Sequence, residues 1–141
     1  MNDISSKLKE RVLVEPFSQK FKMSLTGIEA GYARVEMDFT PDMENIFGLA
    51  HGGAIYALMD EAFQVASNSH GIMSVALNVN VTYHRPPEKM SHLIAEARET
   101  AATRRTASYN ITVTTTTGEL IASCQALVYR TGKPLPFFTE G

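Results

Sequence analysis

The residues most able to do chemistry lie together in one short stretch, from Asn45 to Asp60. His51 precedes two glycines, Gly52 and Gly53, and the apolar run that follows reads as a helix. The first N–H groups of a helix have no internal partners and carry partial positive charge, so they can hold a carbonyl oxygen or an anion. A carboxylate two turns further on is costly to bury unless the protein uses it. The stretch therefore predicts an oxygen-binding helix start and a functional acid within one element.

The spacing of these residues predicts that the site needs two copies of the chain. Gly52 and Asp60 are separated by about 12 Å along a helix axis, at about 1.5 Å per residue. His51 and Asp60 point to opposite sides, since each residue turns the helix by about 100°. Asp60 then cannot act on a ligand held at its own helix start. If both groups serve one reaction, a second helix must run antiparallel and bring its own Asp60 to this His51 and Gly52.

The overall composition is that of an ordinary globular chain. Its 141 residues fit one domain, and 44% apolar with 20% charged residues is typical of soluble proteins. A net charge of −2 gives no reason to expect nucleic acid or an anionic membrane as a partner. The single cysteine, Cys124, excludes an intrachain disulfide and agrees with a reducing compartment. No apolar run is long enough for a membrane span, and the first 14 residues are too charged for a secretory signal, so we expect a cytoplasmic protein.

Hydrophobic periodicity gives the elements that must position this stretch. Residues 3–14 read as a short amphipathic helix stopped by Pro16, and residues 21–29 read as a weak strand. The alternation from Gly31 to Phe39 predicts a half-buried strand. The helix from Gly53 to Ser69 is apolar nearly all round, which is typical of a buried helix.

Four strand-like segments follow the helix, and their short connections predict an antiparallel meander. They cover residues 75–83, 93–100, 106–115 and 120–129. The predicted class is α+β, with an antiparallel sheet of five to six strands wrapped around one long buried helix. We expect one domain over residues 1–141, with residues 1–16 as an N-terminal helix and leader. One helix leaves the other face of the sheet bare, which again predicts association.

Three segments of the chain resemble a known family. The chain carries NIFGLAHGG at 45–53, LMDEA at 58–62 and YHRPP at 83–87. Together with the strand order over residues 15–131, they resemble the hot-dog-fold acyl-CoA thioesterases of the phenylacetic acid degradation (PaaI-like) type. The resemblance implies a homodimer with two interface sites, dimers that pair into tetramers, an acyl-CoA substrate and no cofactor.

The resemblance also implies roles for individual residues. The Gly52 N–H polarises the thioester carbonyl, while His51 and Asn45 position the thioester or the attacking water. Asp60 of the partner subunit is a general base on water, or a nucleophile that forms an anhydride; both mechanisms stay open. We expect burial to raise the Asp60 pKa. Another branch of the fold uses a Glu eight residues after its glycine, where Glu61 follows Gly53, but Asp60 fits the His-Gly-Gly pattern better.

The remaining candidates concern the substrate. Side chains expected to lie near it, besides Gly53 and Glu61, are Phe47, Tyr56 and Asn78. Asn78 lies where some relatives place a Ser or Thr that helps to hold water, so that role stays unassigned. Arg85 and Arg105, near predicted strand ends, are candidates for the phosphates of coenzyme A, although charged hairpin tips are the commoner explanation.

Other chemistries have less support in the sequence. The histidines outside the motif show no metal-ligand spacing, so we expect no metal site. Cys124 is in phase with buried strand residues, which favours a structural role. Two rival functions stay open: a hot-dog dehydratase or hydratase acting on acyl thioesters, and a non-catalytic acyl-CoA sensor. The identity of the acyl group also stays open.

Overall fold

The computed structural model describes residues 3–138 and begins with two helices that meet at a proline. α1 spans Asp3–Val14 and α2 spans Pro16–Lys20, with Pro16 in the first turn of α2. Proline has no N–H to continue α1, but its fixed φ suits the first turn of a new helix. Pro16 therefore ends one helix and begins the next, whereas the sequence predicted only the end.

Six strands and a third helix make up the rest of the fold. Of these elements, α3 is the longest helix described and carries the predicted chemistry. Short 3-10 turns lie at Pro41–Met43 and Pro136–Phe138. The bounds are β1 Ser24–Glu29, β2 Tyr32–Asp38, α3 Gly52–Asn68, β3 Ile72–Tyr83, β4 His92–Ala102, β5 Thr106–Thr115 and β6 Leu120–Pro134.

The strands form one antiparallel sheet in the order β1-β2-β4-β5-β6-β3. The predicted four-strand meander is correct for β4, β5 and β6 but wrong for β3, which pairs with β6 and forms an edge of the sheet. The connection of residues 84–91 spans up to about 27 Å when extended. Three interstrand spacings need only about 14 Å. The connection is therefore long enough to carry the chain past two strands, although it is short in sequence.

α3 packs against one face of this sheet, as the hot-dog resemblance implies. Leu58, Met59 and Ala62 have no exposed surface and contact the inward side chains of the sheet in one core. Burial alternates along β2, so its even-numbered residues face the other side of the sheet. Among residues 3–138, no helix is long and apolar enough to cross a membrane.

The outer face of the sheet, which the sequence predicted to need cover by association, carries charged and polar side chains. Its side chains include Glu36, Glu96 and Gln125, which water solvates well. Exposed apolar side chains lie both on this face and elsewhere; Tyr129 on β6, in phase with Gln125, is 38% exposed. On β3, Val75 is 42% exposed and Leu77 is 55% exposed, and in the loop before α3 the exposures of Ile46 and Phe47 are 93% and 77%. Association is therefore favoured by the β3 edge and by this loop.

Candidate active site

The first turn of α3 leaves one backbone donor free. His51 is the N-cap, with extended backbone angles, and its Nδ1 accepts a hydrogen bond from the Gly53 N–H at 2.9 Å. The His51 carbonyl accepts from the N–H groups of Ala54 and Ile55. Within residues 3–138, no acceptor faces the Gly52 N–H. Gly52 therefore presents the donor that a ligand oxygen can use.

The cap also determines the tautomer of His51. Because Nδ1 accepts a hydrogen bond, the proton of the neutral imidazole lies on Nε2. The side chain is exposed, so Nε2–H can donate to a ligand beside the Gly52 N–H. A local capping role and a ligand-binding role thus coexist in one side chain.

Asn45 shapes the loop that leads into this turn. Its Oδ1 accepts from the N–H groups of Phe47 and Leu49, at 2.9 and 3.0 Å, and its own N–H donates to the Leu49 carbonyl at 2.7 Å. This is the local turn cap that an asparagine commonly makes. The Asn45 Nδ2 group has no partner among the described residues, so it keeps two donors for a ligand.

Asp60 lies two turns along α3, partly buried and without a hydrogen-bond donor in the described chain. Burial raises its pKa above the ordinary value, and the nearby charge of Glu15 raises it further. The carboxylate is therefore a desolvated base. Its distance from Gly52, about 12 Å along the helix axis, keeps it from its own helix start.

The adjacent acid, Glu61, occupies a different environment. It is only 3% exposed, and the Glu15 side chain, at the junction of α1 and α2, is its close neighbour. The two adjacent acids of the motif therefore differ in burial: Asp60 is partly exposed, whereas Glu61 lies in the interior. The geometry favours Asp60 over Glu61 as an acid that substrate can reach.

The other candidates near the substrate are spread over several elements. Tyr56 is partly buried one turn before Asp60, and burial followed by the Asp60 charge raises its pKa. Phe47 is exposed in the loop before α3, and Gly53 is exposed in the first turn of that helix. Asn78 is exposed on the edge strand β3, where a bulge separates it from Ala76 in the pairing with β6.

The two candidate arginines lie at opposite ends of the sheet. Arg85 follows β3 and pairs with Glu119 at the β5–β6 turn, with 3.3 Å between Nη1 and Oε2. Arg105 is exposed in the β4–β5 turn, at the other end of β5. The ten residues of β5 span about 33 Å, so one ligand within one protomer cannot contact both arginines. Arg85 is at the end of the sheet that holds Gly52, because Tyr83 at the end of β3 bonds to Gly52.

Two residues of this region were not predicted from the sequence. The Tyr83 hydroxyl donates to the Gly52 carbonyl at 3.0 Å and so holds the helix start against β3. Its phase with Val79 and Val81, which pack on the core, is the signal that would have placed it on the helix side of the strand. Glu15 contacts Glu61 from a distant part of the chain, and no sequence pattern indicates that contact.

The structure offers no alternative centre of metal or thiol chemistry in the described range. From residue 3 to residue 138, no three His, Cys, Asp or Glu side chains are grouped in a way that could hold a metal ion. Cys124 is 4% exposed on β6, and burial raises its thiol pKa. A raised pKa disfavours the thiolate that a cysteine nucleophile requires.

Comparison with known proteins assigns a family to this fold and site. The thioesterase superfamily matches residues 47–122. A putative esterase of Archaeoglobus fulgidus is 38% identical over 77% of this chain and 71% of its own length. The acyl-coenzyme A thioesterase PaaI of Escherichia coli is 28% identical over 78% of this chain and 79% of its own length.

Solved structures agree with the sequence comparison. The structure of the Escherichia coli PaaI protein matches 94% of this chain and 99% of its own, with a TM-score of 0.85 and 25% identity. The smu.793 protein of Streptococcus mutans, solved bound to acetyl-CoA, covers 80% of this chain and 91% of its own, with a TM-score of 0.76 and 26% identity. The chain belongs to the thioesterase superfamily, within its PaaI-like hot-dog branch. Thioester hydrolysis is the class of chemistry of that superfamily.

Proposed function

We propose that this protein is a cytoplasmic acyl-CoA thioesterase. Water attacks the thioester carbonyl, the C–S bond breaks, and the products are a free carboxylic acid and coenzyme A. The observation that carries the proposal is the Gly52 N–H, which has no acceptor in the described chain; the exposed side chain of His51, the preceding residue, offers its Nε2–H as a second donor. Two such donors stabilise the oxyanion that forms when water adds to a thioester carbonyl.

Asp60 of the partner subunit supplies the base in this proposal. Its partly buried carboxylate lacks hydrogen-bond donors from the described residues, and burial strengthens it as a base by raising its pKa. It removes a proton from the attacking water, while Asn45 Nδ2 orients the thioester or that water. A direct attack by Asp60, which would form an anhydride, is the second route that the same geometry allows.

The dimer follows from the free edge of β3. An edge strand exposes unpaired backbone groups, and β3 adds the exposed side chains of Val75 and Leu77. Antiparallel pairing of two β3 edges makes the two copies of α3 antiparallel, and each Asp60 then approaches the other copy's Gly52. We further propose that dimers pair into tetramers and that residues 1–141 act as one domain.

Coenzyme A is the proposed carrier of the acyl group. Support comes from PaaI of Escherichia coli, named an acyl-coenzyme A thioesterase, and from the Streptococcus mutans neighbour bound to acetyl-CoA. Arg85 lies at the Gly52 end of its own protomer. In an antiparallel dimer the partner's Arg105 end approaches the same region. One arginine from each subunit can then meet the phosphates of one coenzyme A.

A groove for the acyl group begins one helical turn beyond Asp60. A groove with a volume of about 640 Å³ opens between α1 and α3, and Gln64, one turn after Asp60, lines it. Its walls are mainly apolar, including Val12, Val65 and Met73. We propose that the acyl chain enters this groove when Asp60 approaches the thioester.

The test is thiol release from a panel of aromatic, short-chain and medium-chain acyl-CoA esters. We compare the wild type with Asp60→Asn and Glu61→Gln. The proposal expects Asp60→Asn to lose at least about 100-fold in kcat while still binding acyl-CoA. Loss of turnover in Glu61→Gln with an active Asp60→Asn enzyme would contradict the assignment of the base. Hydration of crotonyl-CoA without thiol release would identify a hydratase instead, and binding without turnover would identify a sensor.

A further inference from the structure

Two buried carboxyl groups contact each other beside Asp60, and neither is part of the proposed chemistry. Glu61 on α3 is 3% exposed, and its Oε2 has no donor in the described chain. The same holds for Oε1 of Glu15, between α1 and α2. The Glu15 side chain is close enough to Glu61 to raise the pKa of Glu61 through its oxygen and its charge. Two carboxylates at this range repel each other, and a proton on one of them removes the repulsion and lets the two oxygens share a hydrogen.

The contacts and burial of the two side chains indicate which of them carries this proton. The second oxygen of Glu15, Oε2, accepts a hydrogen bond from Gln64 Nε2 at 2.9 Å, which stabilises a negative charge on Glu15. Glu61 is more deeply buried than the partly exposed Glu15. Burial, followed by the contact with Glu15, raises the pKa of Glu61 to about 9. At neutral pH, the proton of the pair therefore lies on Glu61.

The charge on Glu15 acts on the face of α3 that carries Asp60. Gln64, which holds Glu15, lies one turn after Asp60 and on the same side of the helix. The titratable groups that face Asp60 within residues 3–138 come from three elements. Tyr56 and Glu61 lie on α3 itself, Cys124 lies on β6, and Glu15 lies at the junction of α1 and α2. Phenol, protonated acid and buried thiol are all neutral at pH 7, so only Glu15 brings a charge.

We infer that Glu15 is a positioning residue for thioester hydrolysis: its carboxylate, held by Glu61 and Gln64, faces Asp60 and increases the tendency of Asp60 to take a proton from water. The inference rests on the proposed role of Asp60 as the base. It gives the helices of the N-terminal segment a part in the chemistry, because Glu15 at the α1–α2 junction is the charged member of the groups just named, while Arg11 of α1 lines the groove that Glu15 and Gln64 also line.

The test is the pH dependence of kcat for Glu15→Gln. Removing the charge lowers the basicity of Asp60, so the acid limb of the profile moves to lower pH by roughly half a unit to one unit. The plateau falls several-fold because a weaker base accepts the proton less readily. Glu10→Gln, an exposed change on α1, keeps the wild-type profile. An acid limb that stays in place in Glu15→Gln overturns the inference.

Two further variants separate the charge from the shared proton. Glu61→Gln replaces the shared proton with an amide hydrogen and keeps the charge on Glu15, so the acid limb keeps its position. Changing Glu15 and Glu61 together to Gln removes the charge, and the acid limb shifts as in the single Glu15 variant. A shift in Glu61→Gln as large as in Glu15→Gln would contradict this role for Glu15.

A spectroscopic measurement keeps the inference testable if a variant does not fold. Infrared spectra of wild-type protein with ¹³C-labelled glutamate carboxyls should show a protonated carboxyl band at neutral pH, and its absence overturns the shared proton. The two proposals fail separately. Turnover that survives Asp60→Asn defeats the proposed function, whereas an inactive Asp60→Asn enzyme with an unshifted Glu15→Gln profile defeats only the role of Glu15.

Discussion

Tyr83 packs closely against Gly52, so that a β-carbon at position 52 would be in tight contact with the tyrosine ring. A Cβ built there would lie 3.2 Å from Cζ of the tyrosine ring, and the tyrosine hydroxyl donates to the Gly52 carbonyl. The contact therefore fixes the peptide that presents the proposed oxyanion donor. An alanine at this position therefore requires the Tyr83 ring to shift by a few tenths of an ångström.

Gly52→Ala should reduce kcat by about 10²-fold or more, because the displaced ring and helix start misplace an oxyanion donor. The free energy of unfolding should change by less than about 1 kcal/mol, since alanine favours helix over glycine by a similar amount. Thiol release and chemical denaturation measure the two effects. Tyr83→Phe is the matched control: it keeps the ring, loses one hydrogen bond and should retain most of the turnover. A Gly52→Ala enzyme with wild-type kcat would contradict this role of the Gly52 amide.

Substitutions at His51 separate its capping role from its ligand-binding role. Asparagine is a good N-cap but is too short to place a donor where His51 Nε2 lies, so His51→Asn should keep stability and lose kcat. His51→Ala should lose both, with about 1 kcal/mol of unfolding free energy. Thermal unfolding and thiol release measure the two properties. Equal activity in His51→Asn and the wild type would show that only the cap matters.

The substitution Asp60→Asn should raise the stability of the protein while it lowers the activity. Burial raises its pKa, so the folded protein binds this proton more tightly than the unfolded chain. The unfolding free energy therefore falls as pH rises from about 3.9, the unfolded value, through the folded pKa. Asp60→Asn should remove this fall and be more stable at pH 7, by on the order of 1 kcal/mol. Urea unfolding at pH 4 and pH 7 measures the difference, and a less stable Asp60→Asn protein at pH 7 would contradict it.

The β3 edge can be tested apart from the chemistry. Leu77→Asp places a charge on the proposed interface and should yield monomers without thiol release. Met90→Asp is the matched control, because Met90 is 66% exposed in the connection after β3. Analytical ultracentrifugation measures the oligomeric state. A fully active monomeric Leu77→Asp protein would show that Asp60 does not act across an interface.

His92 makes a pH-dependent contribution far from the candidate site. Its Nδ1 bonds to Asp38 and its Nε2 to Glu36, both at 2.7 Å, so both ring nitrogens must carry protons. These bonds, the one to Asp38 first, raise the pKa of His92. The contribution of protonated His92 to the free energy of unfolding is complete below about pH 6.5, and it is lost as the pH rises through the pKa of His92 in the folded protein.

Because the His92 side chain is 39% exposed, this stabilisation should be only about 0.5 kcal/mol. The unfolding free energy of the wild type should therefore exceed that of His92→Gln by more at pH 6 than at pH 9. Denaturant titrations at the two values measure it, and an equal difference at both would contradict the prediction.

Local pattern was sufficient to predict much of this structure. The apolar run after His51 predicted α3, alternation predicted β2, and the spacing of Gly52 and Asp60 placed them two turns apart on one helix. The pairing of the strands could not be predicted from local sequence. The short segment between β3 and β4 suggested that these two strands are neighbours in the sheet. β3 instead pairs with β6, and the eight residues between β3 and β4 are enough to cross the sheet. The contact of Glu15 with Glu61 joins distant segments, so no periodicity indicates it.

The pairing of β3 with β6 also has a consequence for biosynthesis. During translation, Ile72–Tyr83 leaves the ribosome well before Leu120–Pro134 exists, so the nascent chain carries an apolar strand with both edges unsatisfied. The sheet closes only when the last strand has emerged. This interval is when the polypeptide is most prone to aggregate and most in need of a chaperone.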